Sequence, residues 1–322
     1  MKLSVPTKAR VGLVATAAAA ALVLSACSTG NSDDTAAEGP ASSDCKLGMT
    51  QINQTAVFFT QMNEGAEEAA KAAGCELTIA NANNDSAKQS SDIENFVSQG
   101  MTGIIVVAID VNGVLPAVKA ARTAGIKVVA IDAKLEDGAT ETFVGVDNEK
   151  AGAEAAQWMI DQGLVDGKSY GVVDARNSFI QNQREDSFRK AIDGAGATHT
   201  QSVNGDNVQE KAATAAQNLV TAQSDLDFVY TTGEPATVGA TAALDANKAT
   251  KIVGWDLTKE VIAGIDSGLV TAVVQQNPKQ EGVEAVNELK AILGGAAAQG
   301  FIDVPITIVT QDNVDDFRSI FE

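Results

Sequence analysis

Residues 103–135 read GIIVVAIDVNGVLPAVKAARTAGIKVVAIDAKL. Two short apolar runs, at 103–108 and 127–131, flank a segment of alanines and charges. Each run is continuous rather than alternating, which suits a strand covered on both faces. A strand, a helical segment and a second such strand build a parallel pair with a right-handed crossover. Just beyond each run stands an aspartate, Asp110 and Asp132.

The same unit recurs in both directions. Apparent strands lie at 47–51, 76–80, 142–146, 170–173, 198–203, 228–231, 251–255 and 271–275. Helix-period segments fall between them, among them 61–73, 86–99, 148–162, 180–192 and 207–222. The units are too many for one comfortable sheet, and the pattern restarts near Asp147. The predicted fold is α/β, two Rossmann-like lobes with parallel sheets, and a closed barrel is the alternative. In open parallel sheets the ligand site lies beyond the carboxyl ends of the strands. The residues there are polar almost throughout: 51–55, 81–85, Asp110, Asp132, Asp147, 174–178, Glu234, Asp256 and Gln276. Polar residues also belong at loops and helix caps, and NANNDSAKQ at 81–89 reads as a cap cluster. Asp132, inside VVAIDAKL, has no obvious helix start behind it, and Asp256 follows the apolar run of IVGWDLT.

The first 44 residues read differently. Lys2, Lys8 and Arg10 precede an uncharged, alanine-rich run at 11–26 that ends in Leu24-Ser25-Ala26-Cys27. This pattern matches a signal peptide with a bacterial lipobox, which makes Cys27 the expected lipidation site; an ordinary signal peptide with an incidental cysteine is the alternative. Several acyl chains on one cysteine would supply the multiple signals that stable anchoring needs. Residues 28–44, STGNSDDTAAEGPASSD, are small, polar and acidic, a tether between membrane and folded body. The expected location is extracytoplasmic, on the cell membrane. There Cys45 and Cys75, each opening an apparent strand, can form a disulfide if those strands are neighbours; two separate buried thiols are the alternative.

With a formal net charge of -19, the chain is a poor partner for nucleic acid or anionic lipid. Its single histidine, His199, leaves little from which to build a nucleophilic triad. No Cys-x-x-Cys or His-Glu-x-x-His exists, so neither a metal nor a cofactor is expected. Gly167-Lys168-Ser169 resembles the end of a phosphate loop but precedes a strand, and Gln162 stands where its first glycine is required. A glycosidase needs only two carboxylates, so an enzyme of that kind stays open on composition alone. Aromatics are 4% of the chain, which makes the adjacent Phe58 and Phe59 informative: one packs inside, or one walls a site.

FFTQMNEGAEEAAKAAG, the 103–135 stretch, VGVDNEKAG, NQREDSFRKAI, VYTTGEPATVGA and IVGWDLTKEVIAGIDSGLVTAVVQQNPKQEGVEAV together resemble the type I periplasmic binding proteins of sugar ABC transporters, the ribose-binding branch. The resemblance runs from about Cys45 to the end. It implies crossing strands as a hinge, a first lobe of 45–148 plus 277–310 and a second of 149–276 plus 311–322. It implies a binder rather than an enzyme, a monomer that closes on a sugar or polyol and hands it to a permease. By position it assigns ligand contact to Asn53 or Gln54, Phe58, Phe59, Asp132, Asn182, Arg184, Glu234, Asp256 and Gln276. Ala133 stands where ribose binders often have arginine, and Asn182 where another is expected. Plain ribose therefore fits less well than a polyol, cyclitol, other pentose or cationic ligand. A nucleoside or signalling-furanose receptor is the alternative on the same fold.

Overall fold

The computed structural model describes residues 45–244 and 249–321. The signal segment, Cys27 and the tether lie outside the described residues. Strands β1 (Lys46–Gln51), β2 (Glu76–Asn81), β3 (Gly103–Val107), β4 (Lys127–Ile131), β5 (Thr142–Gly145), β6 (Ser169–Asp174), β7 (Thr198–Asn204), β8 (Phe228–Thr231), β9 (Lys251–Trp255), β10 (Val270–Gln275), β11 (Phe301–Asp303) and β12 (Thr307–Val309) divide into two sheets. The helices are α1 (Val57–Ala73), α2 (Ser86–Ser98), α3 (Leu115–Thr123), α4 (Asn148–Asp161), α5 (Phe179–Gly194), α6 (Gln209–Ala222), α7 (Glu234–Leu244), α8 (Lys259–Asp266) and α9 (Pro278–Leu293).

One sheet runs β11-β5-β4-β3-β1-β2 and the other β12-β10-β9-β8-β6-β7, the same order twice. Every pairing is parallel except β10 with β12. The apolar runs are buried, as strands flanked by helices on both faces must be: β3 is closed to solvent along its whole length. The chain passes between sheets three times, after β5, after β10 and between β11 and β12. Asp303 ties two of these passages together, accepting from the Asp147 backbone N–H at 3.0 Å and pairing with Lys150 at 2.6 Å.

Two expectations are corrected. Thr307–Val309, assigned to the first lobe, pairs instead with β10 in the second sheet. Asn148, also assigned to the first lobe, opens α4, which packs on α5. Three-residue strands such as β11 and β12 are too short to carry a legible period. Helix α1 also starts earlier than its period suggested, because the Asn53 side chain accepts from the Thr55 and Ala56 backbone N–H groups and organises the turn ahead of it.

The repeat extends to side chains. Glu76 N–H donates to Cys45 C=O where β2 begins, and Thr198 N–H donates to Lys168 C=O where β7 begins. Only the first lobe adds a covalent link there: Cys45 and Cys75 are disulfide-bonded, with Cα atoms 4.8 Å apart. Helix α9 crosses α1 at Gly282, where a Cβ would strike the Met62 carbonyl; α4 crosses α5 at Gly152, where a Cβ would strike the Arg184 carbonyl. Met62 and Arg184 thus hold equivalent places, each the sixth residue of its helix. Asn277 caps α9 and Asp147 caps α4 by the same side-chain bond to the third helical N–H.

Candidate functional site

Asp132 and Asp256 sit at the tips of equivalent strands, β4 and β9, and both adopt the left-handed conformation, φ 62° and 61°. Non-glycine residues rarely take it, and they persist there when the surroundings over-determine them. Here one backbone bond does so in each lobe: Asp132 N–H donates to Val144 C=O and Asp256 N–H to Val274 C=O, both at 3.0 Å. That turn, rather than a helix cap, explains the missing helix start behind Asp132. Burial raises both carboxyls above the usual carboxylate range, while Arg184 holds them down. Each aspartate comes from a different lobe, yet Asp256 adds to the upward shift of Asp132, so the two converge.

A cavity of about 350 Å³ opens between the lobes. Phe58 and Gln61 of α1 form one wall, Glu234 and Asp256 the other, and Gln275 and Pro278 the floor. Two larger depressions are more open, and neither is lined by Asp132 or Asp256; of these two aspartates, Asp256 lines the 350 Å³ cavity. Phe58 meets Phe59 edge to face at 5.4 Å. Only Phe58 lines the cavity; both rings pack on the first-lobe core. The adjacent phenylalanines therefore divide the work, one exposing a face and the other bracing it.

Arg184 is buried, not a surface charge paired with its helix neighbours. Its Nε donates to Asn148 Oδ1 at 2.7 Å, Nη1 to Thr232 C=O at 3.2 Å and Nη2 to Gln276 Oε1 at 3.3 Å. The guanidinium lies 3.7 Å above the Trp255 ring, whose indole N–H donates to Tyr230 Oη at 2.8 Å. Gln276 in turn donates through Nε2 to both Asp256 oxygens, at 3.0 and 3.1 Å. A chain from Asn148 through Arg184 and Gln276 to Asp256 thus runs beside the passage between sheets. Gln275 anchors it, accepting from Leu257 N–H and donating to Gln276 C=O, both at 2.8 Å.

Glu234 opens α7 at the cavity wall, where desolvation and then Asp256 push its carboxyl up. Three expected contacts stand apart. Asn53 spends its carbonyl oxygen on the turn before α1 and its amide on Asn84. Gln54 is exposed on that loop, and Asn182 donates to Arg176 C=O instead of joining the Asp256 chain. Asn148, Gln61, Trp255 and Glu281 were absent from the sequence-based site. The signal for Arg184 and Glu281 was present: both fall on the buried stripe of their helices, where a charge is unexpected. Among the described residues no cluster of metal-ligating side chains occurs, and no helix is long and apolar enough to cross a membrane.

Residues 47–297 match the family described as periplasmic binding protein domain. The ribose import binding protein of Bacillus subtilis is 29% identical over 266 residues, 82% of this chain and 87% of that protein. A solute-binding protein structure from Mycobacterium smegmatis with bound glycerol is 29% identical at a TM-score of 0.71, covering 85% of this chain and 96% of that one. A periplasmic ribose transporter structure from Conexibacter woesei superposes at a TM-score of 0.81 with 24% identity, covering 88% and 97%. With two lobes of one strand order, a shared cleft and a match over most of its length, this chain belongs to the periplasmic binding protein domain family.

Proposed function

We propose that the protein captures a small polyhydroxylated molecule, a monosaccharide or polyol, in the cavity between its lobes and delivers it to the permease of an ABC importer. The observation that carries this reading is the convergence of Asp132 and Asp256 from opposite lobes, with Phe58 on one wall and the Arg184–Gln276 chain behind. Planar carboxylates and amides bind adjacent hydroxyls in pairs, and the aromatic face covers the C–H side of the ligand. An unmatched polar group in such a cleft costs about 1–3 kcal/mol, which is how hydroxyl stereochemistry is read. Closure of the lobes about the three passages completes the enclosure. The reading assigns no reaction and no catalytic residue.

Relatives named for ribose and xylitol binding, and a related structure holding glycerol, support this ligand class. Export by the signal segment and anchoring through lipidated Cys27 complete the proposal, with residues 27–44 as the tether. In it residues 45–146 and 278–303 form one lobe, and the remaining described residues the other. A thermal-shift screen of pentoses, hexoses, polyols and inositols tests the function, since a ligand of the folded state raises Tm. At least one is expected to raise it, and Asp256→Ala to abolish the shift while leaving the ligand-free Tm within a few degrees. A screen in which none binds overturns the reading.

A further inference from the structure

Glu281 lies one residue before Gly282, inside the contact of α9 with α1 and the first sheet. It is fully shielded from solvent, and neither carboxyl oxygen has a hydrogen-bond partner among the described residues. The equivalent place in the second lobe, one residue before Gly152, is Ala151. The scaffold therefore does not require a carboxyl here, and an unpartnered one is costly to bury. The charges that act on it are those of the site: Asp132 first, then Asp256, with Arg184 opposing. Of the elements packed on α9, β3 and β5 carry no ionisable residue, and β4 has only Lys127, at its far end. The charged residues of α1, namely Glu64, Glu67, Glu68 and Lys71, are all exposed.

Three acids thus face one guanidinium, already occupied by Asn148, Thr232 and Gln276. They cannot all ionise cheaply, and the proton belongs on the acid most removed from water. Asp132 and Asp256 keep some exposure, whereas Glu281 has none.

We propose that Glu281 is a positioning residue of the recognition site: a neutral carboxyl beside Asp132 that leaves Asp132 and Asp256 ionised as acceptors for ligand hydroxyls. Burial and the two aspartates hold its carboxyl well above the ordinary glutamate range, consistent with that state. Ionising it places a third negative charge beside the other two, with no proton left to relieve their repulsion when ligand closes the cleft and excludes water. The inference rests on the polyol-binding reading, but its first test needs no ligand. The ¹³C carboxyl signal of Glu281 in the ligand-free protein, assigned by its loss in Glu281→Gln, is followed from pH 4 to 10. It is expected to report the protonated form at pH 7; ionised Glu281 at pH 7 overturns the proposal whatever binds. Calorimetry with D-ribose, xylitol and myo-inositol then asks whether affinity follows that proton. For any that binds, Glu281→Gln should keep wild-type affinity within about threefold at pH 6. Above the midpoint read by NMR, wild-type affinity should fall about tenfold per pH unit while the variant stays level. A loss beyond tenfold in Glu281→Gln at pH 6 overturns the role, as does unchanged wild-type affinity across a midpoint that lies within the range. If none of the three binds, the NMR result alone decides the state of Glu281, and the wider thermal-shift screen decides the function.

Discussion

The two lobes are one construction built twice, and they differ most where α1 and α5 approach the cleft. The first lobe places Val57, Phe58, Phe59 and Met62 on α1, with Gln51 at the tip of β1 reaching Asn63 at 2.9 Å. The second lobe places Phe179, Ile180, Gln181 and Arg184 at the same points of α5. There Asp174 ends β6 and joins Glu185 through Arg176, by bonds of 2.8 and 2.7 Å. An apolar wall and neutral amides in one lobe thus correspond to a guanidinium and paired acids in the other. A hydroxyl-rich ligand needs both faces, since each sugar ring has a C–H side and polar edges. At these helix starts the asymmetry lies in side chains, because strand order, helix crossings and tip aspartates match; elsewhere α8, between β9 and β10, has no counterpart between β4 and β5.

The largest expected effect comes from breaking a difference that the scaffold does not share. Only the first lobe has the Cys45–Cys75 link, with a sequence separation of 30. A loop of that size constrains the unfolded chain by roughly 3–4 kcal/mol in the chain-entropy model. Cys45→Ser with Cys75→Ser should lower stability by about that amount in urea unfolding, and hydrogen exchange should place the loss in the first lobe. Equal loss of protection in both lobes would mean that they unfold as one unit.

Arg184→Met makes the second lobe copy the first. It strips partners from Asn148 and Gln276 and removes the positive charge that opposes Asp132 and Asp256. Losing charge-assisted bonds of this kind costs about 3 kcal/mol, on the order of a hundredfold in affinity. Calorimetry with a ligand found in the thermal-shift screen measures it; a loss under threefold would remove Arg184 from the site. Conversely, Gly282→Ala and Gly152→Ala test the shared crossing. Each inserts a methyl against a backbone carbonyl, for about 1–3 kcal/mol of stability. Gly152→Ala should also weaken binding, because the displaced carbonyl is that of Arg184.

Phe58→Ala and Phe179→Ala weigh the two helix starts against each other. Phe58 lines the cavity and packs on the core, so its loss should cost about 1–2 kcal/mol of binding. Phe179 is 76% exposed, and its truncation should change stability by less than about 0.5 kcal/mol.

These comparisons also explain what could be read in advance. Runs such as 103–107 and 127–131 announce buried parallel strands because nothing polar interrupts them, and the tip aspartates stand out by ending them. The fold was legible on that basis, and Asp132, Asp256 and Gln276 as candidates by their place at strand ends, while Phe58 stood out by the scarcity of aromatics. The placement of Asn53 was not, because a short polar side chain before a helix suits a cap and a ligand equally. Nor was the choice between Asn182 and Arg184, two residues apart on one helix, since only the crossing at Gly152 fixes which one turns inward. Glu281 did carry a signal, a charge on the buried stripe of α9, but its meaning shows only once the opposite lobe sets Ala151 in the equivalent place.

A last effect sharpens the contrast between amide and acid pairs. Asp174 and Glu185 are both buried, and each leaves one oxygen unpartnered. Burial, with Glu185 next, pushes the Asp174 carboxyl up to about 6. Its folded form therefore holds a proton more tightly than the unfolded chain does. Stability from this group is highest below the unfolded carboxylate range, declines as pH rises, and is lost once pH passes about 6. Asp174→Asn copies the neutral Gln51 of the first lobe and keeps an oxygen for Arg176. It should leave stability at pH 4 nearly unchanged and raise it at pH 7.5. The gain should be on the order of 1 kcal/mol, because Arg176, itself 45% exposed, already offsets part of the repulsion. Melting curves at the two pH values measure it. A variant less stable at pH 7.5 than at pH 4, relative to wild type, would mean that the ionised Asp174–Arg176 pair stabilises the second lobe, and that its charge is part of the scaffold.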